Sequence, residues 1–272
     1  TLMVHNIEPM SKMPDVPMIS MGGINIRRVR FYNPEGNTTI WSGSSIEFTG
    51  TRAKTYVPPA GGSCLTDASS CSPASSKNTG ITADILDNDE SLAALSADEF
   101  FFNTFGMSIE TWRATVADLE VDATNYENDW DDSSPGVNGA VGKFIYVDAS
   151  SADADDQYAG TFTFGCTSAN LDTGSDREDR CGTANAYEEP GVIVIDGNLT
   201  LTDGGYYLGL VFVTGNVTVI DDTELQGTLI VGGSLTQNSG NDMEIYYDTT
   251  LLSTIQQNGL NSGAAGTWRD FD

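Results

Sequence analysis

Residues 191–245 repeat on themselves every 18 residues, and no other feature of the chain restricts its fold so strongly. Gly191-Val-Ile-Val-Ile-Asp-Gly-Asn-Leu-Thr aligns with Gly209-Leu-Val-Phe-Val-Thr-Gly-Asn-Val-Thr and then with Gly227-Thr-Leu-Ile-Val-Gly-Gly-Ser-Leu-Thr. Gly197, Gly215 and Gly233 keep phase, as do Thr200, Thr218 and Thr236. Each unit holds two short β-branched runs, Val192–Ile195 and Leu199–Leu201 in the first, separated by a Gly-Asn or Gly-Ser corner. A strand of four or five residues cannot bury its apolar side alone, whereas coils stacked at the ~4.8 Å strand spacing enclose one continuous interior. The pattern predicts a mainly β chain built as a β-solenoid (β-helix-like) with coils of roughly 18 residues. Glycine at 197, 215 and 233 is expected to supply a positive φ or a close backbone approach. The competing solution is an antiparallel meander with Gly-Asn hairpins, which the constant phase of three units disfavours.

Weaker forms of the same pattern occur elsewhere. Gly22–Ile26 and Thr38–Gly50 predict N-terminal β rungs over residues 1–50, and Gly142–Asp148 and Gly160–Gly165 are further strand candidates. Residues 51–140 read as a loop and helical insertion. Positions 58–80 are rich in Pro, Gly and Ser and hold the first cysteine pair. Ser96-Ala-Asp-Glu99 is a capping box ahead of Phe100, Phe101, Phe102 and Phe105, and a second short helix starts at Ser108 and ends near Asp118. The aromatic side of this helical pair is expected to pack on the solenoid wall. Residues 141–272 carry the repeats, and Asp248 is placed to cap a helix over Thr249–Asn258, closed by Gly259, that would cover the last rung. The three segments are expected to form one continuous elongated domain.

Thirty-nine Asp and Glu against 12 Lys and Arg give a formal charge of −27, a field that repels phosphate backbones and anionic lipid and so argues against nucleic-acid binding. The four cysteines allow three connectivities; the local pairings Cys64 with Cys71 and Cys166 with Cys181 each close a short polar loop, as in an oxidising compartment. A zinc site would need Cys or His ligands at closer spacing, and His5 is the only histidine. Asp87 and Asp89 with Glu90, Asp129 with Asp131 and Asp132, Asp153 with Asp155 and Asp156, and Asp172 with Asp176 put hard oxygen ligands close together, as calcium requires. Asp87, Asp89, Asp153 and Asp155 are the calcium candidates, set against the reading of a solvated acidic loop. There is no Gly-x-Ser-x-Gly elbow, phosphate-binding loop or His-Glu-x-x-His, so the chain reads as non-enzymatic. A polysaccharide-active enzyme is the lesser alternative. No stretch approaches the roughly 20 apolar residues of a membrane span, and Thr1–Met10 lacks a signal pattern.

The order of repeats from Gly191, then Tyr246-Tyr247-Asp248, then Thr267-Trp268-Arg269-Asp270, resembles the C-terminal region of PilX-type minor subunits of type IV pili. Ile40-Trp-Ser-Gly43 and the stretch from Leu86 through Phe101 are similar to segments of larger members of that group. The resemblance implies a pilus subunit at the cell surface, reached through the periplasm. Its role would be assembly and surface adhesion, and its partners other minor pilins and a PilY-type tip adhesin. The family's hydrophobic N-terminal helix has no counterpart in these 272 residues, so a membrane link is expected only through such a helix. The alternative is a free-standing extracellular solenoid that uses its stacked threonines to bind a glycan or an ice surface.

Overall fold

The structure, a computed structural model, describes residues 10, 12–58, 74–122, 142–155, 163–164, 190–201, 206–237 and 240–259. Among these residues the chain forms β1 (Met18–Ser20), β2 (Ile24–Ile26), β3 (Val29–Tyr32), β4 (Ile40–Ser42), β5 (Ile46–Phe48), β6 (Lys54–Tyr56) and β7 (Ile85–Leu86). Three helices follow, α1 (Glu90–Ala93), α2 (Ala97–Phe105) and α3 (Ile109–Thr115). Then come β8 (Leu119–Asp122), β9 (Phe144–Asp155), β10 (Thr163–Phe164), β11 (Gly191–Leu201), β12 (Tyr206–Val213), β13 (Val217–Val219), β14 (Thr223–Val231), β15 (Leu235–Gln237), β16 (Met243–Tyr246) and the helix α4 (Thr249–Gly259). The protein is mainly β, 43% strand and 17% helix, and its parallel sheet curls on itself.

Every pairing between these strands is parallel, which removes the hairpin meander from consideration. The pairings fall into three ladders. The first runs β8-β9-β11-β12-β14-β1-β4-β7. The second runs β9-β11-β13-β15-β2-β5, and the third β10-β12-β14-β16-β3-β6. The 18-residue period is the pairing register itself: Gly191 lies opposite Gly209 and Gly209 opposite Gly227, while Thr200, Thr218 and Thr236 form another column.

Spatial order departs from chain order. The chain enters the sheet at β1, in the middle of the first ladder, and proceeds through β4 to β7 at one end. It then passes through α1–α3 to β8 at the opposite end, and winds back until β14, β15 and β16 lie directly against β1, β2 and β3. Met21 N–H donates to Val231 O at 2.9 Å, Gly22 N–H to Gly233 O at 2.8 Å and Leu235 N–H to Gly23 O at 3.0 Å, so the two halves meet as one continuous ladder. The N-terminal strands β1–β5 therefore belong to the same parallel sheet, at a position the sequence did not specify. Residues 51–140, expected as loop and helix, also contribute β6, β7 and β8 to the sheet.

One core lies inside the curl, where Ile193, Ile195, Leu199, Val211, Val217, Leu229, Leu235, Ile24 and Ile145 meet. A second lies on the outer face of the first ladder, where Val192, Val194, Leu210, Phe212 and Ile230 pack against the helices. Burial on both faces is why Val192–Ile195 of β11 and Leu208–Val213 of β12 read as continuous apolar runs instead of alternating ones. The phenylalanines of α2 meet this outer face as expected: Phe101 lies edge-on to Phe212 at 5.0 Å and stacks on Phe105 at 4.4 Å, and Phe105 is 5.7 Å from Trp112. Phe102 alone of the four points to solvent, 55% exposed. The capping box forms, with Ser96 Oγ accepting from Glu99 N–H at 3.2 Å and Glu99 accepting from Ser96 N–H at 2.8 Å.

The C-terminal helix corrects one expectation. Asp248 caps it, accepting from Thr250 and Leu251 N–H at 3.0 and 3.1 Å. However, Leu251, Leu252 and Ile255 join the outer core on the flank of β12 and β14, and α4 does not cover the end of the repeats. That edge is already paired with β1–β3, so a cap there is unnecessary.

Candidate functional site

The corners between ladders are built by close backbone approach. Gly209 and Gly227 have φ of +135° and +141°, and a Cβ on Gly227 would lie 1.8 Å from Gly209 O. Of the glycines expected to have special geometry, Gly197 has φ +143°, while Gly215 and Gly233 serve by proximity, their would-be Cβ atoms 2.6 and 2.7 Å from the carbonyl oxygen one level away. Asparagines lock the same corner: Asn198 Oδ1 accepts from Asn216 N–H at 2.8 Å, and Asn216 Oδ1 from Ser234 N–H at 2.9 Å. The corner continues across the junction through hydroxyls, Ser20 Oγ donating to Gly233 O and Ser42 Oγ to Gly22 O, both at 2.8 Å.

On the outward side of the second ladder Thr200, Thr218 and Thr236 stand in register, continued by Asn25 and then Glu47. The column is one residue wide. Leu199, Leu201, Val217, Val219 and Leu235 on either side point into the core.

Two of the calcium candidates, Asp87 and Asp89, have partners of their own. Asp89 is the N-cap of α1: Oδ1 accepts from Ser91 and Leu92 N–H at 2.9 and 3.2 Å, and Oδ2 accepts from the Trp41 indole at 2.9 Å. These bonds, led by that from the Ser91 hydroxyl, hold its carboxyl below the usual range. Asp87 is exposed and its Oδ2 accepts from Asn88 Nδ2 at 3.0 Å. Asp153 and Asp155 fall on β9, at the far end of the second ladder, where the structure describes backbone alone; Asp155 lies opposite Thr200. Among the described residues no three His, Cys, Asp or Glu side chains gather as a metal site. Cys64, Cys71, Cys166, Cys181, His5, Asp129–Asp132, Asp156 and Asp172–Asp176 lie outside the described residues, as does Thr267–Asp270. No helix among the described residues is long and apolar enough to cross a membrane.

Sequence reasoning missed two polar clusters. Asp84 is buried, and its Oδ1 accepts from Ser75 Oγ and Ser76 Oγ at 2.9 Å each and from Thr82 Oγ1. Burial acts to raise this carboxyl, but bonds from Thr55, Thr82, Ser76 and Ser75 outweigh it and hold it low. The turn it organises closes the edge of the third ladder, since Ser75 N–H donates to Thr55 O at 2.8 Å and Thr55 N–H to Ser76 O at 2.9 Å. The second cluster straddles the junction. Asp242 accepts from Arg28 at 2.5 Å, Arg30 at 2.9 Å and Arg52 at 3.2 Å, and Arg30 also meets Glu244 at 2.6 Å. Beside it the rings of Tyr246, Tyr32 and Tyr56 stack at 4.4 and 4.9 Å. Burial and the charge of Glu244 push the Tyr32 hydroxyl up to about 12, with Arg30 opposing them. The signal for this cluster was present in the sequence: Arg27-Arg28-Val-Arg30 is a dense basic run in an acidic chain.

No family model, curated protein or solved structure matches this chain.

Proposed function

We propose that the chain is a non-enzymatic structural and interaction subunit of the minor-pilin type, a β-solenoid whose work is pilus assembly and surface adhesion. The observation that carries this reading concerns the residues on which the resemblance to PilX-type subunits rests. The glycine-punctuated repeats set the register of all three ladders, Tyr246 stacks on Tyr32, the Tyr247 hydroxyl donates to Pro14 O at 2.7 Å, and Asp248 caps α4. Ile40 is core, and Trp41 bonds to the cap of α1. These named residues hold the architecture together, as expected where likeness within a group lies in a scaffold and not in a reaction centre. Three successive residues at 246–248 thus tie the last strand, the N-terminal segment and the outer helix to one another.

The reading carries with it export through the periplasm to the cell surface, the pairings Cys64 with Cys71 and Cys166 with Cys181, and partners among other minor pilins and a PilY-type adhesin. The test is to mix the purified chain with candidate minor pilins and such an adhesin and to follow complex formation by light scattering, with calcium and with chelator. A stable complex of defined mass is expected, and its response to chelator decides whether calcium belongs to the assembly. A chain that stays monomeric with every candidate overturns the reading.

The threonine column supports a second reading, a free-standing surface binder for a glycan or ice. Three in-register threonines repeat at the ~4.8 Å strand spacing. Ice-growth inhibition that Thr218→Tyr abolishes would select this reading over the first.

A further inference from the structure

The basic cluster has a side that the junction does not use. Arg27 and Arg28 form the corner between β2 and β3, and Thr49-Gly50-Thr51-Arg52 lies between β5 and β6 one level along. Between them is an open recess of ≈ 350 Å³ lined by Arg27, Arg28, Thr49, Gly50, Thr51 and Arg52. In a chain with 39 acidic and 12 basic residues, this lining has three guanidiniums and no carboxylate.

The recess is held in shape from below. Arg27 and Arg28 N–H both donate to Gln237 Oε1, at 3.0 and 2.8 Å, which fixes the corner to the next level. A Cβ on Gly50 would lie 2.1 Å from Arg27 O, so only glycine lets the second turn close against the first. Thr49 Oγ1 donates to Ile26 O at 3.2 Å. Arg28 is aimed back at Asp242, whereas the Arg52 side chain is 59% exposed with a single 3.2 Å contact to the same carboxylate. Arg27 is exposed, and its guanidinium forms no ion pair among the described residues. Counting Arg30 and Glu244, four guanidiniums face two carboxylates. Of the neighbouring acids, Asp222 lies beyond Asp242, two levels from Arg28 or about 10 Å away, and Glu47, two residues before Thr49, meets the Asn25 amide at 3.5 Å and does not line the recess, so the surplus in the lining is positive.

We propose that this recess is a binding site for one small oxyanion, a phosphate or sulfate group, taken up by the guanidiniums of Arg27 and Arg52 with the hydroxyl of Thr51 at the rim. Guanidinium forks match tetrahedral oxyanions through paired, charge-assisted N–H···O bonds. The net charge of −27 restricts the ligand further. One group inside the recess lies within a screening length of about 8–10 Å of the arginines and feels mainly them, whereas each further charge on a polymer lies outside the recess and meets the net negative charge of the chain. The ligand is therefore a free anion or a single ester on an otherwise uncharged carrier such as a sugar. This inference is independent of the pilus assignment.

The test follows the arginine Nε–H signals of the intact chain by NMR during separate titrations with inorganic phosphate, a monophosphorylated hexose and heparin, at fixed ionic strength. Phosphate is expected to saturate with a millimolar Kd, shifting the signals of Arg27 and Arg52. The sugar phosphate should bind at least as tightly as phosphate if the natural ligand is an ester, and more weakly if it is the free anion. An Arg27→Ala/Arg52→Ala variant should bind at least about tenfold more weakly, a loss of the size expected for two charge-assisted contacts, with a Tm at most slightly lowered, since Arg27 makes no ion pair among the described residues and Arg52 gives up one exposed pair to Asp242. Three outcomes overturn the proposal: no saturation by about 50 mM phosphate, well above a millimolar Kd; equal affinity in the double variant; or heparin binding more than about tenfold tighter than phosphate, which would make the surface a polyanion site.

Discussion

The repeat at 191–237 and the junction at 18–32 do the same job by different means. Both stack parallel strands in register over one apolar interior. Within the repeat the chain itself carries each level to the next, and the corners are backbone against backbone, glycine over glycine, with asparagine bridges. At the junction successive levels are joined by more than 200 residues of intervening chain, and side chains take over: Ser20 and Thr228 hydroxyls donate to carbonyls across it, and three arginines converge on Asp242. Where covalent continuity sets the register, glycine suffices. Where it does not, identity must be written in polar groups that fit only one neighbour, since a slipped register would leave buried hydroxyls and charges unpaired.

The comparison can be broken first from the repeat side. Gly227→Val puts a branched side chain at φ +141° against the Gly209 carbonyl, and should cost about 4 kcal/mol or more, read as a fall in the urea midpoint or as failure to fold. Phe212→Ala empties the centre of the outer core beneath Phe100, Phe101 and Phe105 and should cost about 3–5 kcal/mol by the same measurement. If the core is shared by the whole stack, that loss leaves a single transition.

Asp242→Asn probes the junction and should be milder, about 1–2 kcal/mol, because the pairs are partly open to water. Its signature is pH dependence. Partial burial acts to raise the Asp242 carboxyl, but the Arg28 hydrogen bond and the charges of Arg30, Arg28 and Arg52 outweigh it and set the group low. A depressed folded-state pKa contributes stability that is present above the unfolded value of about 4 and is lost as the pH falls through the folded one. The wild-type advantage over Asp242→Asn in thermal melts should therefore be full at pH 6 and shrink below about pH 4. Thr218→Val, on the outward column, should stay within about 0.5 kcal/mol of wild type.

Much of the repeat was legible in the sequence because each level obeys the same local chemistry: an apolar run, a glycine corner, another run. The capping box at Ser96–Glu99 and the placement of the α2 phenylalanines were legible because their signals are equally local. The order of levels was not, since a strand such as Ile24–Ile26 offers the same edge to Leu235–Gln237 as to any other level. What selects the neighbour is the fit of Arg28 and Arg30 to Asp242 and Glu244, residues 212–214 positions apart, with no periodic signature. Asp89 of the acidic pair at 87–89 has a local role that the calcium reading did not include. Asp89 followed by Glu90-Ser91-Leu92 is an N-cap, and two backbone amides and an indole satisfy its carboxylate. Asp248 marks in the sequence where the last helix starts, but nothing in Leu251–Ile255 says which surface receives it; these residues pack on the outer face of the first ladder, and the end of the repeats is already paired with β1–β3.

The central claim is that the last repeat packs directly on the N-terminal strands, and nuclear Overhauser contacts in the isotope-labelled chain test it most directly. Cross-peaks are predicted between Ile230 and Ile19 and between Thr236 and Asn25, with intensities matching those between Thr200 and Thr218 inside the repeat. If the contacts within the repeat appear while Thr236 shows none to Asn25, the two halves do not share one stack and the account is contradicted.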